Sequence, residues 1–164
     1  MKVSAREEYG LRCLMQLARR QRSGSGDPLS LGEIAREEGL SVPHVAKLIR
    51  TLRRAGLVTS VLGRTGGYVL ARDAASISVQ EVLAALGGKL YDTEYCKKFS
   101  GDLRSCAHIG DCSIRSLWGV LESLLERVLG RTMLADLVSC SESGMSAVLG
   151  GRTALPSVAA GRGR

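Results

Sequence analysis

The sequence predicts a mainly α-helical chain with one small β-hairpin, arranged as a compact head followed by a long helix. Three observations support this fold class. Apolar residues recur at helical spacing through the first 54 residues. Two short β-prone runs then flank the glycine-containing turn at residues 63–66. A regular apolar seam later marks residues 113–129 as one long helix. With 164 residues, the chain accommodates one such head and an appendage, but not two large domains.

Three helices are predicted at the start of the head. Helical apolar spacing covers residues 4–20. Ser30, with Glu33 three positions later, is typical of a capping box that opens a second helix ending near Gly39. A third helix begins at Ser41 and is closed by Gly56. Its inward residues are predicted to be Val42, Val45, Leu48, Ile49 and Leu52, and its outward residues His44, Lys47, Arg50, Arg53 and Arg54.

Residues 57–62 and 67–70 predict two short strands joined by a Gly-Arg-Thr-Gly turn. Two helices joined by a tight turn and followed by a hairpin are the parts of a winged helix-turn-helix, in which the hairpin is the wing. We therefore assign residues 1–72 to this head. A connecting helix at 73–90, with a second capping box at Ser78 and Glu81, leads to a cysteine-bearing loop at 91–112.

Residues 113–138 are predicted to form a long helix and a following short helix, and residues 139–164 a disordered tail rich in Gly, Ser and Ala. Trp118 lies on the apolar seam and is expected to be a core residue. A seam this regular predicts packing against a large surface. The seam consists of Ile114, Leu117, Trp118, Leu121, Leu124, Leu125 and Val128.

The net charge of +7 is concentrated in the head, where twelve Lys and Arg face six Asp and Glu over residues 1–70. Residues 71–140 carry eight Lys and Arg against nine Asp and Glu. A basic head suits double-stranded DNA, whose phosphates release counterions when Lys or Arg binds them. A merely solvated basic surface, or a protein-interaction module, is the alternative.

The start of the third helix should enter the major groove. We expect Ser41, Pro43, His44 and Lys47 to reach base edges or nearby phosphates. We also expect Arg50, Arg53 and Arg54 to contact phosphates. At the wing tip, Arg64 and Thr65 are expected to contact DNA, because an arginine suits a narrow minor groove.

No apolar run approaches the roughly 18 residues of a membrane span, and acidic residues precede any signal-peptide-like segment. The cytoplasm is therefore the expected location, with no membrane partner. In that compartment a disulfide framework is not expected, so clustered cysteines indicate a metal or redox role.

Three of the five cysteines, Cys96, Cys106 and Cys112, share one short stretch with His108. Nine and then five residues separate them, without the paired C-x-x-C typical of structural zinc. An iron-sulfur cluster suits such a loop and leaves a fourth ligand to another residue. Zinc binding and thiol-disulfide sensing remain alternatives. A cysteine oxidoreductase is disfavoured because no nucleophile motif is present, and we expect no enzyme activity. Cys13 is expected to be a small buried hydrophobe and Cys140 an uninvolved surface thiol.

Several motifs together resemble one family over about residues 1–138. They are MKVSAREEYGLRCLMQLA, GLSVPHVAKLIRTLRRAGLV, SVLGRTGGYVLARD, the three cysteines, CSIRSLW and LGRTMLADL. This combination resembles the IscR-type iron-sulfur-sensing winged-helix transcriptional regulators, of which NsrR and RirA are relatives. The resemblance implies a homodimer through helix 113–129 and a cluster, 2Fe-2S favoured and 4Fe-4S possible, that sets DNA affinity. It also implies a repressor of genes for iron-sulfur biogenesis, iron or nitrosative stress.

The sequence departs from the IscR pattern at three places. Arg115 stands where IscR has a histidine ligand, and the first cysteine interval is longer here. The fourth ligand is therefore open between Glu8, which resembles a carboxylate supplied by the partner subunit in some relatives, and His108. If they are not ligands, Glu8 is a helix-surface carboxylate and His108 is a solvated loop residue. Leu62 stands where IscR carries a minor-groove arginine.

Overall fold

The computed structural model describes residues 3–63, 65–87, 106, 108, 110–141, 144–145 and 149. These residues confirm the predicted mainly helical fold with a small antiparallel hairpin. The elements are α1 (Ala5–Arg22), α2 (Leu31–Glu38), α3 (Val42–Arg54), β1 (Val58–Val61), β2 (Gly67–Leu70), a short 3-10 helix (Ala74–Ser76), α4 (Val79–Leu86), α5 (Ser113–Gly130) and α6 (Leu134–Ser139).

Serine–glutamate capping boxes begin three of these helices. The Ser30 and Ser78 boxes confirm the sequence prediction. A third, between Ser4 and Glu7, begins α1. In each box the serine hydroxyl accepts the N–H of the glutamate, and the glutamate carboxylate accepts the N–H of the serine. Hydrogen bonds from the side chain and backbone of Ser30 lower the pKa of Glu33.

The α2–α3 turn depends on Gly39, which has the left-handed conformation at φ 65°. This conformation lets the chain reverse within a few residues, and the N–H of Leu40 donates to the carbonyl of Ala35 at 2.9 Å. The second and third helices are therefore joined as the sequence predicts, in a helix-turn-helix.

The core of the head lies around α1, which packs against α3, α4, α6 and β2. Its largest completely covered side chains come from every part of the head and from α6; they include Leu14, Ile34, Ile49, Leu52, Ile77, Leu86 and Leu134. Val42 is exposed rather than inward-facing. At 100° per residue, Val42 lies about 70° from the centre of the buried face of α3 and so falls at its edge.

The wing, residues 57–70, pairs Val58 with Leu70 at its base and Val61 with Gly67 near its tip. Leu57, Val58 and Leu70 are buried, so the base belongs to the core. The other edge of β2 is bridged by Leu29. The N–H of Tyr68 donates to the carbonyl of Leu29 at 2.8 Å, and the reverse bond is 3.0 Å.

The end of α5 is joined to the head by two backbone hydrogen bonds. The N–H of Val79 donates to the carbonyl of Thr132, and the N–H of Leu134 donates to the carbonyl of Ile77, both at 2.8 Å. Leu134 then enters the core at the start of α6. Residues 131–134, which the sequence groups with the long helix, therefore contact the head directly.

The apolar seam of α5 is largely uncovered in the single chain. Ile114 is 62% exposed, Leu117 54% and Trp118 37%. The prediction that Trp118 is a core residue is wrong for the isolated chain, because the seam is exposed along the first half of α5 and becomes half-buried further along, at Leu124 and Val128. The predicted tail lies mostly outside the described residues. No helix in the described ranges is both long and apolar enough to cross a bilayer.

Candidate DNA-binding surface and cysteine region

The outer face of α3 forms an exposed basic surface. Ser41 caps the helix through its backbone position, and its hydroxyl makes no capping hydrogen bond. Pro43, Lys47 and Arg50 are exposed along the following turns. No Asp or Glu occurs between Gly39 and Gly56, so this helix presents only positive charge. A surface of this kind can contact phosphates and base edges together.

Further cations flank this surface. Arg53 and Arg54 are exposed at the C-terminal end of α3, as predicted. Arg6, which the sequence interpretation did not single out, donates from Nη2 to the Thr51 hydroxyl at 3.4 Å. That hydroxyl in turn donates to the carbonyl of Lys47 at 3.1 Å. The basic surface therefore extends from α3 onto the start of α1.

His44 does not face outward as predicted. Its ring packs edge-on to Tyr9 with centroids 5.7 Å apart. Its Nε2 is buried and has no hydrogen-bond partner among the described residues. At 100° per residue His44 lies about 90° from the centre of the buried face, where a neighbouring helix can cover it. We therefore leave His44 out of the base-contacting set and regard it as a residue that helps to position α3.

A polar cluster holds the turn before α3 against α1. Arg12 Nε donates to Glu38 Oε2 at 2.6 Å, and Arg12 Nη2 donates to the Glu38 carbonyl at 3.1 Å. Gln16 donates to the other carboxylate oxygen. The Glu38 side chain is only 6% exposed, and its hydrogen bond and charge raise the pKa of Arg12. The guanidinium also lies 5.6 Å from the centroid of Tyr9, which contacts His44. Helix α1 thus fixes the position of the turn that leads into α3.

The wing tip carries an exposed aliphatic side chain. Leu62 is 96% exposed and is followed by Gly63 at φ 133°, a conformation that favours glycine. A Cβ on Gly66 would lie 2.5 Å from the carbonyl oxygen of Val61, so this second glycine is required by close approach. Thr65 is exposed, and the prediction for Arg64 lies outside the described residues.

Two of the three clustered cysteines lie in the described part of the chain. Cys106 and Cys112 are half-buried thiols, whereas the prediction for Cys96 lies outside the described residues. Cys112 caps α5, and its Sγ accepts the N–H of Arg115 at 3.4 Å. Hydrogen bonds to sulfur of this kind tune ligating thiolates in iron-sulfur proteins. The available donors therefore fit a soft metal or a cluster. No group of three metal-ligating side chains comes together within the described residues alone.

The fourth-ligand candidates occupy different surroundings. His108 is exposed, and its carbonyl accepts a hydrogen bond from Arg115 Nη2 at 3.3 Å. Arg115 thus contacts the cysteine region where IscR would have a ligand. Glu8 is exposed on α1. Both candidates are accessible, and both remain predictions.

The remaining two cysteines differ in accessibility. Cys13 is completely buried, and this burial raises its pKa to about 12. The prediction that it is a small buried hydrophobe is confirmed. Cys140 is half-buried just after α6, less exposed than the surface thiol predicted there.

Comparison with known proteins decides the family. The sequence model of the Rrf2 family, described as an iron-dependent transcriptional regulator, matches residues 3–140. The chain belongs to this family. Protein rrf2 of Nitratidesulfovibrio vulgaris is similar, with 38% identity over 138 residues, which cover 84% of this chain and 87% of that protein. This Rrf2-family chain is therefore a DNA-binding transcriptional regulator, and its relatives are regulators rather than enzymes.

Two solved structures resemble this Rrf2-family regulator closely. CymR, the global cysteine regulator of B. subtilis, has a TM-score of 0.68 at 29% identity, covering 87% of this chain and 99% of CymR. IscR of T. potens has a TM-score of 0.65 at 32% identity, covering 89% and 96%. The winged-helix architecture is thus shared, while the names of these relatives indicate different regulatory contexts.

Proposed function

We propose that this Rrf2-family regulator is a homodimeric repressor that reads operator DNA through α3 and the wing, with an affinity set by an iron-sulfur cluster at Cys96, Cys106 and Cys112. One observation carries the DNA-binding part: α3 presents an exposed, acid-free basic surface, and a half-buried polar cluster holds the turn that leads into it. The targets would be genes for iron-sulfur biogenesis, iron or redox and nitrosative stress.

The DNA contacts divide by position on α3. Ser41, Pro43 and Lys47 lie at the end of the helix that would enter the major groove. The remaining proposed DNA-binding residues, including the flanking cations and the wing tip, are Arg50, Arg53, Arg54, Arg64 and Thr65. Phosphate contacts fix the register on the duplex, and base contacts supply the sequence preference. Footprinting a duplex selected from a randomised pool tests this division, because α3 and the wing should protect adjacent segments.

The uncovered seam of α5 supports the homodimer. Exposed apolar side chains over several successive turns favour an interface rather than a solvated helix. Replacing Leu117 with Glu should give a monomer, because the new charge would be buried against the partner helix. Ser123→Glu, at another exposed position of α5, is the matched control and should stay dimeric. Light scattering after gel filtration measures both variants. A dimeric Leu117→Glu variant would place the interface elsewhere.

The cysteine region supports the cluster because its thiols have the required chemistry. Cys106 and Cys112 would supply ligands together with Cys96, and Glu8 or His108 would complete the set. When bound, the cluster supplies sensitivity to iron supply, oxidants and nitric oxide, with 2Fe-2S favoured and 4Fe-4S possible. Arg115 would orient the region through its contacts with the Cys112 sulfur and the His108 carbonyl.

Anaerobic reconstitution tests the cluster. The wild-type protein should bind iron and sulfide with visible charge-transfer absorbance, and Cys106→Ala with Cys112→Ala should abolish both. Cys140→Ala is the matched control and should retain the spectrum. Glu8→Gln and His108→Ala then identify the fourth ligand by a changed spectrum or faster cluster loss. A colourless protein with an intact fold would refute the cluster.

Thiol or zinc sensing at the same cysteines is the second candidate. The structural similarity to CymR, a protein described as a global cysteine regulator, supports it. Elemental analysis of protein purified without air separates the alternatives. Zinc without sulfide would indicate a zinc site, and a metal-free protein whose DNA affinity changes on disulfide formation would indicate a thiol switch.

A further inference from the structure

We propose that Leu62 is a specificity-determining residue, which packs on the floor of the DNA minor groove and selects A·T over G·C pairs beside the site read by α3. This inference rests on the DNA binding proposed above and concerns one uncharged contact at the wing tip.

Leu62 stands out by its exposure at the end of a paired strand. The wing changes from complete burial at Leu57 and Val58 to 96% exposure at Leu62. The tip is held by four strand pairs and by the Gly66 N–H, which donates to the Gly63 carbonyl at 3.0 Å. An apolar side chain is therefore presented to solvent between a paired strand and a hydrogen-bonded turn. Val61 beside it is 40% exposed, and Thr59 and Ser60, also exposed, are polar, so Leu62 presents the largest apolar exposure of this segment.

The length of the wing suits a neighbouring groove. β1 begins four residues after α3 and contains four residues, which extend about 13 Å at 3.3 Å per residue. The minor groove next to a bound major groove lies half a helical turn away, about 17 Å along the axis. With α3 in the major groove, the strand and the turn beyond it span a comparable distance. Leu62, at the start of that turn, is the most exposed aliphatic side chain among the described residues of the wing.

The chemistry of the groove makes an aliphatic contact selective. A·T and T·A pairs present only acceptors on the minor-groove floor, whereas G·C adds the projecting 2-amino donor of guanine. A leucine side chain has no acceptor for that donor and would bury it unpaired. Apolar side chains are also used as wedges by minor-groove binding proteins. Because Leu62 carries no charge, its contribution should be independent of salt concentration, unlike that of a phosphate-binding arginine.

Inosine substitution tests the proposal. A duplex bound by the wild type is first selected from a randomised pool, and the pairs protected by the wing are identified by footprinting. Those pairs are then changed to G·C or to inosine·C, which lacks the 2-amino group but keeps the major-groove face. Wild type should bind the inosine·C duplex about tenfold more tightly than the G·C duplex, within the usual range for one unfavourable pair.

Leu62→Ala should remove this discrimination, and it should weaken binding to the A·T duplex about fivefold or more because buried methyl groups are lost. Its salt slope should match the wild type. Leu62→Arg should restore tight binding with a salt slope steeper by about 0.9. Val3→Ala, which truncates another exposed aliphatic residue, is the control and should behave as wild type.

Three results would overturn the role of Leu62. They are equal binding of G·C and inosine·C duplexes by wild type, unchanged discrimination in Leu62→Ala, or an effect of Leu62→Ala confined to self-association. Failure of the wild type to select any duplex would instead refute the DNA-binding proposal itself. Because Leu62 is exposed, its substitution should leave the melting temperature unchanged, which a thermal melt verifies.

Discussion

Replacing both Lys47 and Arg50 with alanine removes two exposed cations from the face of α3 opposite the core. Neither side chain forms an ion pair within the described part of the chain, so their removal leaves no carboxylate there without its partner. The fold should therefore be retained. DNA binding should weaken, because both groups face the phosphates in the proposed complex.

The size of the effect follows from counterion release. Each phosphate contact on B-DNA contributes about 0.9 to the slope of log affinity against log salt, so the double variant should have a slope shallower by about 1.8. Over a fourfold rise in salt, from about 50 to about 200 mM, wild type should then lose about twelvefold more affinity than the variant. Sequence preference should change mainly through Lys47, which lies nearer the helix start.

Fluorescence anisotropy on one selected duplex, titrated at four salt concentrations, measures both slopes. Arg127→Ala with Arg131→Ala is the matched control, because it removes the same charge from exposed positions at the end of α5. The control should lower affinity slightly without changing the slope by 1.8. Equal slopes for wild type and the α3 variant would refute the placement of α3 on DNA.

Three further outcomes concern the stability of the head. Leu134→Ala should lower the free energy of unfolding by about 2–5 kcal/mol, because a completely buried side chain leaves a cavity; an unchanged urea midpoint would contradict the docking of α6. Gly39→Ala should lower the free energy of unfolding by about 1–2 kcal/mol, because alanine is strained in the left-handed conformation. No steric clash adds to this, since nothing lies within 4 Å of the new methyl group. Thermal melting measures the loss of stability. The capping-box hydrogen bonds lower the pKa of Glu33 and of Glu81. The two ionised carboxylates therefore stabilise the fold fully above the ordinary glutamate pKa, about 4.3. This stabilisation is lost as the pH falls through the lowered pKa values of the folded protein. Glu33→Gln should reduce the acid sensitivity of the melting temperature, and an identical pH profile would argue against this contribution.

Local sequence signals were sufficient for most of the head. Serine followed by glutamate three residues later begins a helix at Ser30 and Ser78 because both hydrogen bonds form within four residues. Ser4 and Glu7 follow the same rule at the start of α1, which the helical spacing had already placed at residue 4. Gly39 was predictable because only a few residues, glycine foremost, adopt a left-handed helix end readily.

Contacts between distant residues were not predictable in this way. Arg12 and Glu38 are 26 positions apart, and no local pattern pairs them. His44 has the spacing of an outer residue, but α1 covers it through Tyr9. Trp118 was expected to be buried but is exposed in the single chain. A helical seam indicates that one face is apolar, but not whether the surface that covers it belongs to the same chain.

The candidate site was predicted unevenly for the same physical reason. The surface of α3 follows from helical periodicity, and the structure places Lys47 and Arg50 as expected. The ligand set depends on how a loop folds, which spacing alone does not specify. Cys96 and Arg64 lie outside the described residues and remain predictions, as do the domain boundaries.

The two backbone hydrogen bonds at Thr132 and Leu134 make α5 a lever arm. They anchor its C-terminal end in the same core that supports α3, so a rotation of the long helix would be transmitted to the head. Helix α5 has 18 residues and is about 27 Å long, so a 10° rotation about one end moves the other by about 5 Å. In a dimer joined through α5, a 10° change of crossing angle near Cys112 would therefore shift the two reading helices by more than one base-pair step, which is about 3.4 Å.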